Sequence, residues 1–411
     1  MAEKIRIGVL GAGFAGLYTV IHIEKKRRPG VEITLFDVNN YFLYTPVLHE
    51  VATGTVNARH VVVPIRKVVD PRRVQIRCEK VNRVNLPGKA FETPSGSFFF
   101  DRIVLAPGAE TNFYGIQGAR ENAVTFKTIG DAILLRNRII DILEKGAIER
   151  DSGKKSRILT INVAGGGCTG IEVVTEIAQF VNTMLKRDYP EIDRSEFRIN
   201  LIEAAGKILQ SFDPFLSRVA AERLKKMGIE TILNSPIREV GPDQIELADG
   251  RKIPTGILIW AAGLKSRNIP LEPDVAKDSM GRIIVNNHLE IPGFPGVFAI
   301  GDGAHFNQNG GPLSPTASVA VQEARYVAEK IVSRADDGGK PFRFHYRGDM
   351  VSLGFMSGVC DIYGWKFRKS IAWFIWKVFK LAMLPKYKNR FQIMSDWLIT
   401  LTFKRDTSKF I

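Results

Sequence analysis

The stretch "IRIGVLGAGFAGLY", Ile5 to Tyr18, decides the fold. An apolar run of strand length leads into three glycines spaced G-x-G-x-x-G, namely Gly11, Gly13 and Gly16, and a helix-forming segment follows. The first glycine permits a tight turn, the second lets the backbone approach a pyrophosphate, and the third lets the helix pack closely on the strand. A second strand, "VEITLFD", ends in Asp37, whose carboxylate can accept hydrogen bonds from a ribose. This order predicts a dinucleotide-binding unit.

The chain repeats this unit in "ILTINVAGGGCTGIEVVTEIAQFV" and "FRINLIE". We predict a strand from Ile158 to Ala164, and Gly165, Gly167 and Gly170 then give a second G-x-G-x-x-G. An acid, Glu203, again ends the strand that follows the helix. Two complete units predict that one protein holds two dinucleotides.

Further segments extend the duplication to whole domains. Asp101 to Glu110 ("DRIVLAPGAE") and Gly256 to Lys265 ("GILIWAAGLK") are each predicted to be a buried strand leading into a turn of small residues. Gly296 to Ala304 ("GVFAIGDGA") is a further predicted strand, with Asp302 at its end, and a closely packed helix is expected after it. We therefore predict an α/β fold with two Rossmann-like dinucleotide-binding domains.

Length and charge limit the function. A chain of 411 residues is expected to form two or three domains. The net charge of +15 indicates an anionic partner, either nucleic acid or anionic lipid. Residues 361–411 contain eleven Lys or Arg against three Asp or Glu, so much of the excess lies at the C-terminus. No recognition motif accompanies the charge, which argues against nucleic acid.

Several features are not expected. Cys78, Cys168 and Cys360 are scattered and form no CxxC, which favours a reduced compartment without disulfides or zinc. The six histidines are dispersed, so no metal site is predicted. The first strand starts too early to leave room for a signal peptide, and no apolar run is long enough for a transmembrane helix.

Together these motifs resemble the flavoproteins with two dinucleotide-binding domains. Within that group the whole chain is most similar to the type II NADH dehydrogenases, the single-subunit NADH:quinone oxidoreductases. The specific signs are "YFLYTPVLHEVATGTV" after the first acid, "CTGIEVVTE" in the second loop, "SPTASVAVQ", and a basic, aromatic C-terminal tail.

The resemblance implies a function and a division of the chain. Non-covalent FAD would occupy the first unit and NADH the second, with hydride passing from NADH to FAD and two electrons then passing to a membrane quinone without proton pumping. The expected domains are 1–112 and 285–340 for FAD, 113–284 for NADH, and 341–411 for a C-terminal membrane-associating region.

The resemblance also implies site residues. Contacts to FAD are expected at Gly11, Gly13, Gly16, Asp37, Thr45, Pro46, Ala106, Gly108, Asp302, Thr316 and Ala317. Contacts to NADH are expected at Gly165, Gly167, Gly170, Glu172, Glu203, Ala262 and Gly263. The quinone side would include Ser318 and Gln322, and Ser318 replaces a glutamine of the family motif. Glu172 and Gln322 are the two candidate catalytic residues.

Some of these residues have a second interpretation. Glu172 is expected near the nicotinamide, but an acid at a helix start is also stabilised by the helix dipole. Glu176, one turn later, is a weaker candidate. Glu203 favours NADH over NADPH because a carboxylate repels a 2′-phosphate, although Lys207 lies close by in sequence. His49 is more often a structural histidine than a functional one.

The tail from Trp365 to Leu384 is predicted to be an amphipathic helix, and "RFQIMSDWLITLTFKR" a second one. The predicted apolar stripe consists of Ile371, Phe374, Ile375, Val378 and Ala382. Lys377 and Lys380 fall off this stripe, and Trp373 and Trp376 flank it. This composition suits a helix in the interface of an anionic membrane. The resemblance implies a peripheral protein on the cytoplasmic face of the bacterial inner membrane, although a processed organellar protein would have the same sequence features. The alternative is a pair of helices packed on the protein body or in a homodimer interface.

Two other functions compete. A sulfide:quinone oxidoreductase has a similar architecture but relies on cysteine thiolates beside the flavin, and the contexts of Cys168 and Cys360 do not match such a pair. Cys168 is better explained as a small buried residue of the loop. A flavin-bound protein that senses NADH with slow turnover belongs to a third class, and the tail argues against it.

Overall fold

The computed structural model describes residues 4–333, 339–403 and 405–409. The chain divides into two compact units, each assembled from three segments. Unit 1 consists of Met1–Leu43, Val62–Glu110 and Leu264–His345, and unit 2 consists of Tyr44–Val61, Thr111–Gly263 and Tyr346–Ile411. The first glycine loop lies in unit 1 and the second in unit 2.

The α-helices are numbered in chain order. They are α1 (Phe14–Lys25), α2 (Leu48–Ala52), α3 (Ala119–Asn122), α4 (Ile129–Ile148), α5 (Ser152–Ile158), α6 (Cys168–Arg187), α7 (Pro214–Lys226), α8 (Ala317–Val332), α9 (Lys369–Ala382) and α10 (Tyr387–Thr402).

Unit 1 is built on a five-stranded parallel sheet. Its strands, in spatial order, are Val297–Ala299, Arg102–Leu105, Ile5–Leu10, Val31–Phe36 and Val74–Arg77. Helices α1 and α8 pack against each other. On α8, Val319, Val327 and Ile331 are buried, as are the alanines Ala320, Ala324 and Ala328, whose small side chains permit the close packing that the sequence predicts.

Smaller sheets complete unit 1. A four-stranded sheet contains Leu271–Glu272, Arg83–Asn85, Ala90–Thr93 and Gly96–Phe99. Three two-stranded pairs are Tyr41–Leu43 with Val62–Pro64, Ile283–Ile284 with Ala304–His305, and Asn307–Gln308 with Gly311–Pro312.

Unit 2 is built on a second five-stranded parallel sheet. Its strands, in spatial order, are Ala123–Thr125, Ile257–Trp260, Thr160–Ala164, Arg198–Ile202 and Ile229–Ile232. The strand Thr160–Ala164 is buried throughout, as expected for a parallel strand covered on both faces. It begins two residues later than predicted, because Ile158 ends α5, which Asp151 caps by accepting a hydrogen bond from the Lys154 amide at 2.8 Å.

Two antiparallel sheets complete unit 2. One contains Ile237–Val240, Gln244–Leu247 and Lys252–Pro254, and the other contains Met350–Ser352, Gly358–Ile362 and Trp365–Arg368. The second of these sheets contacts α6, α7 and α9. The remaining strands, Ala109–Thr111 and Leu264–Ser266, stand where the chain passes from one unit to the other.

The boundaries of the two units differ from the predicted domains. Residues 264–284 belong to unit 1, because Leu271–Glu272 and Ile283–Ile284 each pair with one of its strands. Residues 44–61 belong to unit 2, where α2 packs on α4 and α6. The segment after residue 345 is grouped with unit 2. No helix in the described part of the chain is long and apolar enough to cross a membrane.

Candidate functional site

The first glycine loop, in unit 1, has the geometry that a dinucleotide requires. Gly11 adopts φ +94°, and a Cβ on it would overlap the carbonyl oxygen of Ala106. A Cβ on Gly16 would overlap the carbonyl oxygen of Gly11, so α1 lies directly against the turn. A Cβ on Gly13 would meet no heavy atom within 4 Å, which leaves the face before α1 open to a phosphate.

Asp37 lies beside this loop, as its position in the sequence predicts. Its Oδ2 accepts a hydrogen bond from the Ala12 amide at 2.7 Å, and its Oδ1 accepts one from the Asn39 amide at 2.8 Å. The carboxylate is therefore fixed at the end of its strand. The predicted turn at Ala106 and Gly108 continues from the neighbouring strand, and Gly108 has φ +73°.

The start of α8 is also in unit 1. Thr316 is its N-cap, and the threonine hydroxyl accepts a hydrogen bond from the Val319 amide at 3.3 Å. Ala317 and Ser318 form its first turn. The amide group of Gln322 is engaged with the backbone of His345: its Nε2 donates to the carbonyl at 3.1 Å and its Oε1 accepts from the N–H at 3.0 Å.

The second glycine loop, in unit 2, repeats the geometry of the first. Gly165 adopts φ +105°, and a Cβ on Gly170 would overlap the carbonyl oxygen of Gly165. A Cβ on Gly167 would meet nothing within 4 Å. Glu203 occupies the place of the acid: its Oε2 accepts from the Gly166 amide at 2.5 Å and its Oε1 from the Ala205 amide at 2.8 Å. Both loops fit a dinucleotide.

A cavity of about 540 Å³ lies next to the second loop, along α7 and the edge strand Ile229–Ile232. Its lining includes the cationic side chains Lys207, Arg218 and Lys225 and one acid, Glu230. Lys207 thus lines a cavity together with Arg218 and Lys225, which the sequence alone did not indicate. Elsewhere in unit 2, the Tyr114 hydroxyl donates to the carbonyl of Ala262 at 3.3 Å and lies against Gly263.

Glu172 lies on α6 in a buried environment, with an exposed fraction of 8%. Its Oε1 accepts hydrogen bonds from the Trp376 indole at 2.9 Å and from the Ser352 amide at 3.4 Å, and its Oε2 is 3.8 Å from His49 Nδ1. Burial raises the pKa of Glu172 to about 6, although the charge of Lys380 acts in the opposite direction. Burial and the charges of Lys380 and Lys377 lower the pKa of His49 well below its usual value, so His49 is neutral at pH 7.

Two further buried acids lie in unit 2. Glu50 pairs with Lys377 and accepts a hydrogen bond from the Trp397 indole at 2.8 Å. Burial raises the pKa of Glu50 and lowers that of Lys377. Glu176 lies 3.3 Å from Arg405 and accepts from the Thr53 hydroxyl at 3.3 Å.

The predicted orientation of α9 is therefore wrong in part. Lys377 was expected in the polar face of a membrane helix, and Trp376 at its edge. Both are buried, because Trp376 binds Glu172 and Lys377 binds Glu50. The acid Glu50, adjacent to His49 in "PVLHEVATG", is the functional candidate that the sequence reasoning missed, and its only sequence signal was a charged residue within an apolar segment.

The other predicted residues lie as follows. Thr45 and Pro46 form a short 3-10 helix in unit 2, just before α2, and not in the unit of the first glycine loop. Cys168 is the first residue of α6 and is exposed, contrary to the expectation of a buried side chain. Among the described residues the three cysteines are free, and no group of His, Cys, Asp and Glu side chains is placed to hold a metal ion.

Comparison with known families covers nearly the whole chain. Residues 5–324 match the family described as pyridine nucleotide-disulphide oxidoreductase, and residues 346–406 match the family described as NDH2 C-terminal domain. A probable NADH dehydrogenase of Dictyostelium discoideum is 30% identical, over 99% of this chain and 92% of its own length. A type II NADH:quinone oxidoreductase of Mycobacterium tuberculosis is 30% identical, over 98% of this chain and 89% of its own.

Solved structures share the fold. The structure of NDH2 from Plasmodium falciparum in complex with NADH superimposes with a TM-score of 0.91, at 23% identity, covering 99% of this chain and all of that one. A sulfide:quinone oxidoreductase from Aquifex aeolicus superimposes with a TM-score of 0.76, at 17% identity, covering 98% of this chain and 96% of that one.

Proposed function

The chain belongs to the pyridine nucleotide-disulphide oxidoreductase family and, within it, to the type II NADH:quinone oxidoreductases, and from this premise we propose how its residues carry out NADH:quinone oxidoreduction at a membrane surface. The observation that carries the proposal is the repeated glycine loop with its acid, joined to a C-terminal segment of the NDH2 type. FAD, when bound, accepts a hydride from NADH and passes two electrons to a quinone.

The residues of unit 1 hold FAD in this proposal. Gly11, Gly13 and Gly16 leave room for its pyrophosphate at the start of α1, and Asp37 accepts hydrogen bonds from its ribose. Asp302 contacts the ribityl chain. The N-terminus of α8, capped by Thr316 and followed by Ala317, directs its positive end toward the flavin ring. Ala106 and Gly108 complete the FAD contacts that unit 1 supplies.

The second loop binds NADH in the same manner. Gly165, Gly167 and Gly170 accommodate the pyrophosphate, and Ala262 and Gly263 border the nicotinamide half. Glu203 binds the adenosine ribose and disfavours a 2′-phosphate through its negative charge. The ammonium group of Lys207, which lines the neighbouring cavity, would attract a 2′-phosphate. The preference for NADH therefore depends on the negative charge of Glu203.

Glu172, which the resemblance implies to lie near the nicotinamide, is proposed to act instead by holding a proton for the quinone. Reduction of a quinone by NADH consumes one proton besides the hydride, and a carboxyl group whose pKa is about 6 exchanges a proton readily near neutral pH. Its Oε1 is held by Trp376 and Ser352, which leaves Oε2 as the oxygen that carries the proton. Gln322 and Ser318 lie on the quinone side. Because the Gln322 amide already binds His345, its contribution is to position that segment.

The exposed apolar face of α9 and α10 is proposed to lie in a membrane interface. On α9, Ile371, Phe374 and Val378 are 50–63% exposed and follow one another at helical spacing. On α10 the corresponding residues are Phe391, Met394, Leu398 and Leu401. Basic residues of the same segment favour an anionic leaflet. The protein is then monotopic, on the cytoplasmic face of a bacterial inner membrane, and a homodimer that covers this face is the alternative.

An anaerobic mixing experiment tests the function. The purified protein is mixed with NADH while the visible absorbance of the flavin is followed, and a soluble quinone is then added. Rapid bleaching by NADH with recovery on quinone is expected. Bleaching by sulfide and not by NADH would replace the proposal with sulfide:quinone oxidoreduction, and slow bleaching without recovery would indicate an NADH sensor.

A further inference from the structure

Glu323 is an acid of α8 that the function described so far does not use. Its side chain is buried, with an exposed fraction of 2%, although it carries a carboxyl group. Acids are rarely buried this completely unless they have a partner. Glu323 Oε2 accepts a hydrogen bond from the backbone N–H of Gly301 at 2.6 Å.

Gly301 begins the turn Gly301–Gly303, which contains Asp302. It adopts φ +70°, and a Cβ on it would lie 2.8 Å from the Cβ of Ala15 on α1. The residue before the turn is fixed from the other side, because the Ile300 amide donates to the carbonyl of Leu105 at 3.0 Å. The turn is thus held between the sheet, α1 and the Glu323 carboxyl group, all within unit 1.

Glu323 is mostly uncharged in its buried position near Asp302. Burial and the neighbouring charge of Asp302 raise its pKa to about 8, and the Gly301 N–H acts in the opposite direction. Glu323 is therefore mostly protonated at pH 7, and the negative charge of the turn belongs to Asp302. A glutamine would have the same shape and would still offer an oxygen to the Gly301 N–H.

We propose that Glu323 is a positioning residue for the flavin: its carboxyl group binds the Gly301 N–H, fixes the turn Gly301–Gly303, and thereby presents Asp302 to FAD. The inference rests on the proposed function only in taking FAD as the ligand of unit 1. Glu323 acts through Asp302 and therefore needs no contact with the cofactor.

The test measures release of FAD from the holoenzyme, followed by the fluorescence of free flavin, in Glu323→Ala and Glu323→Gln. Glu323→Ala leaves a buried N–H without its acceptor, and we expect FAD to bind about tenfold or more weakly. The visible circular dichroism of the bound flavin should change as well. Glu323→Gln should retain both properties of the wild type. Glu329→Ala, which removes a half-exposed acid on the same helix, is the control.

A double-mutant cycle separates positioning from general stability. If Glu323 acts through Asp302, Glu323→Ala should weaken FAD binding far less when Asp302 is already Asn. Equal weakening in both backgrounds would overturn the proposal, as would a loss of thermal stability in Glu323→Ala with unchanged FAD affinity and circular dichroism. These outcomes would leave NADH:quinone oxidoreduction intact. Failure of that function would instead appear as wild-type flavin that NADH does not bleach.

Discussion

Lys377 of α9 and Glu50 of α2 form an ion pair in which the two side chains are 9% and 3% exposed. The ammonium group of Lys377 also lies 3.8 Å from the centre of the Trp397 ring on α10. One buried lysine thus joins three helices of unit 2. A lysine in a C-terminal basic helix ordinarily faces solvent or lipid headgroups, and here it holds the helix to the rest of its unit.

Lys377→Met should destabilise the protein, because it leaves Glu50 buried without its partner. The free energy of unfolding is expected to fall by about 3–5 kcal/mol, measured by denaturant titration. The double variant with Glu50→Gln should recover most of this loss, since no buried charge is then unpaired. Lys388→Met, at an exposed position of α10, serves as the control and should change little. A Lys377→Met protein of wild-type stability would contradict the pairing.

Glu172→Gln should slow quinone reduction and leave reduction of the flavin by NADH largely intact. The protonated acid is the donor, so the wild-type quinone-dependent rate should decrease as the pH rises through about 6, the pKa to which burial raises this group. The variant should lose roughly a hundredfold in this rate and also lose the inflection. Stopped-flow measurements of the two half-reactions between pH 5 and 8 check this. An unchanged inflection would assign the titration to another group.

The raised pKa of Glu172 also makes the stability of the protein depend on pH. Because the folded-state pKa of Glu172 lies above the usual value of 4.5, the folded protein retains a proton that the unfolded chain has lost between pH 4.5 and about 6. The contribution of Glu172 to stability therefore decreases across this window, by about 1.4 kcal/mol per pKa unit, and is constant above it. Relative to the wild type, Glu172→Gln should become more stable as the pH rises from 4.5 to 6. Thermal melts of both proteins at matched pH check this, and a stability difference that stays constant between pH 4.5 and 6 would mean that Glu172 is a solvated acid.

Glu203→Ser should relax the preference for NADH. Removal of the carboxylate takes away the repulsion of a 2′-phosphate, and the cations Lys207 and Arg218 line the adjacent cavity. The ratio of kcat/KM for NADH over NADPH is expected to fall by about tenfold or more. A tenfold change corresponds to about 1.4 kcal/mol of repulsion between the Glu203 carboxylate and the 2′-phosphate. Glu222→Ser, which removes an exposed acid of α7 outside the lining of that cavity, is the control. An unaltered ratio would mean that Glu203 does not meet the ribose.

Replacing Ile371, Phe374 and Val378 together by serine should weaken binding to vesicles of anionic phospholipid. Each of these side chains offers apolar area that leaves water on insertion, so the triple variant should bind at least about tenfold more weakly. Turnover with a water-soluble quinone should be unchanged. Co-sedimentation with vesicles and light scattering of the free protein are measured together. A change from dimer to monomer, with vesicle binding intact, would assign the face to a second copy.

The residues that the sequence predicted best are those that the local backbone demands. Gly11 and Gly165 require positive φ, and Gly16 and Gly170 permit contacts that any Cβ would prevent, so their spacing alone identifies both loops. The acids Asp37 and Glu203 follow because each ends the next strand.

The partners of Lys377 and Glu323 could not be predicted in this way. Helical periodicity assigns Lys377 to a face of α9 but does not say which face is covered, and Glu50 is 327 positions away in the chain. In the sequence Glu323 is one of four charged residues on α8, and its burial is explained by the turn at Gly301, which lies outside the helix. The assignment of residues 44–61 to unit 2 likewise depends on long-range packing of α2, for which no local signal exists.

The placement of α9 within unit 2 limits how a water-soluble form of the protein can be designed. Deleting the chain after residue 345 is an obvious way to obtain a water-soluble form, but it would remove Trp376 and Lys377, the side chains that bind Glu172 and Glu50. Such a shortened protein would lack these partners for Glu172 and Glu50. Polar substitutions confined to the outward side chains of α9 and α10 would improve solubility and retain these partners.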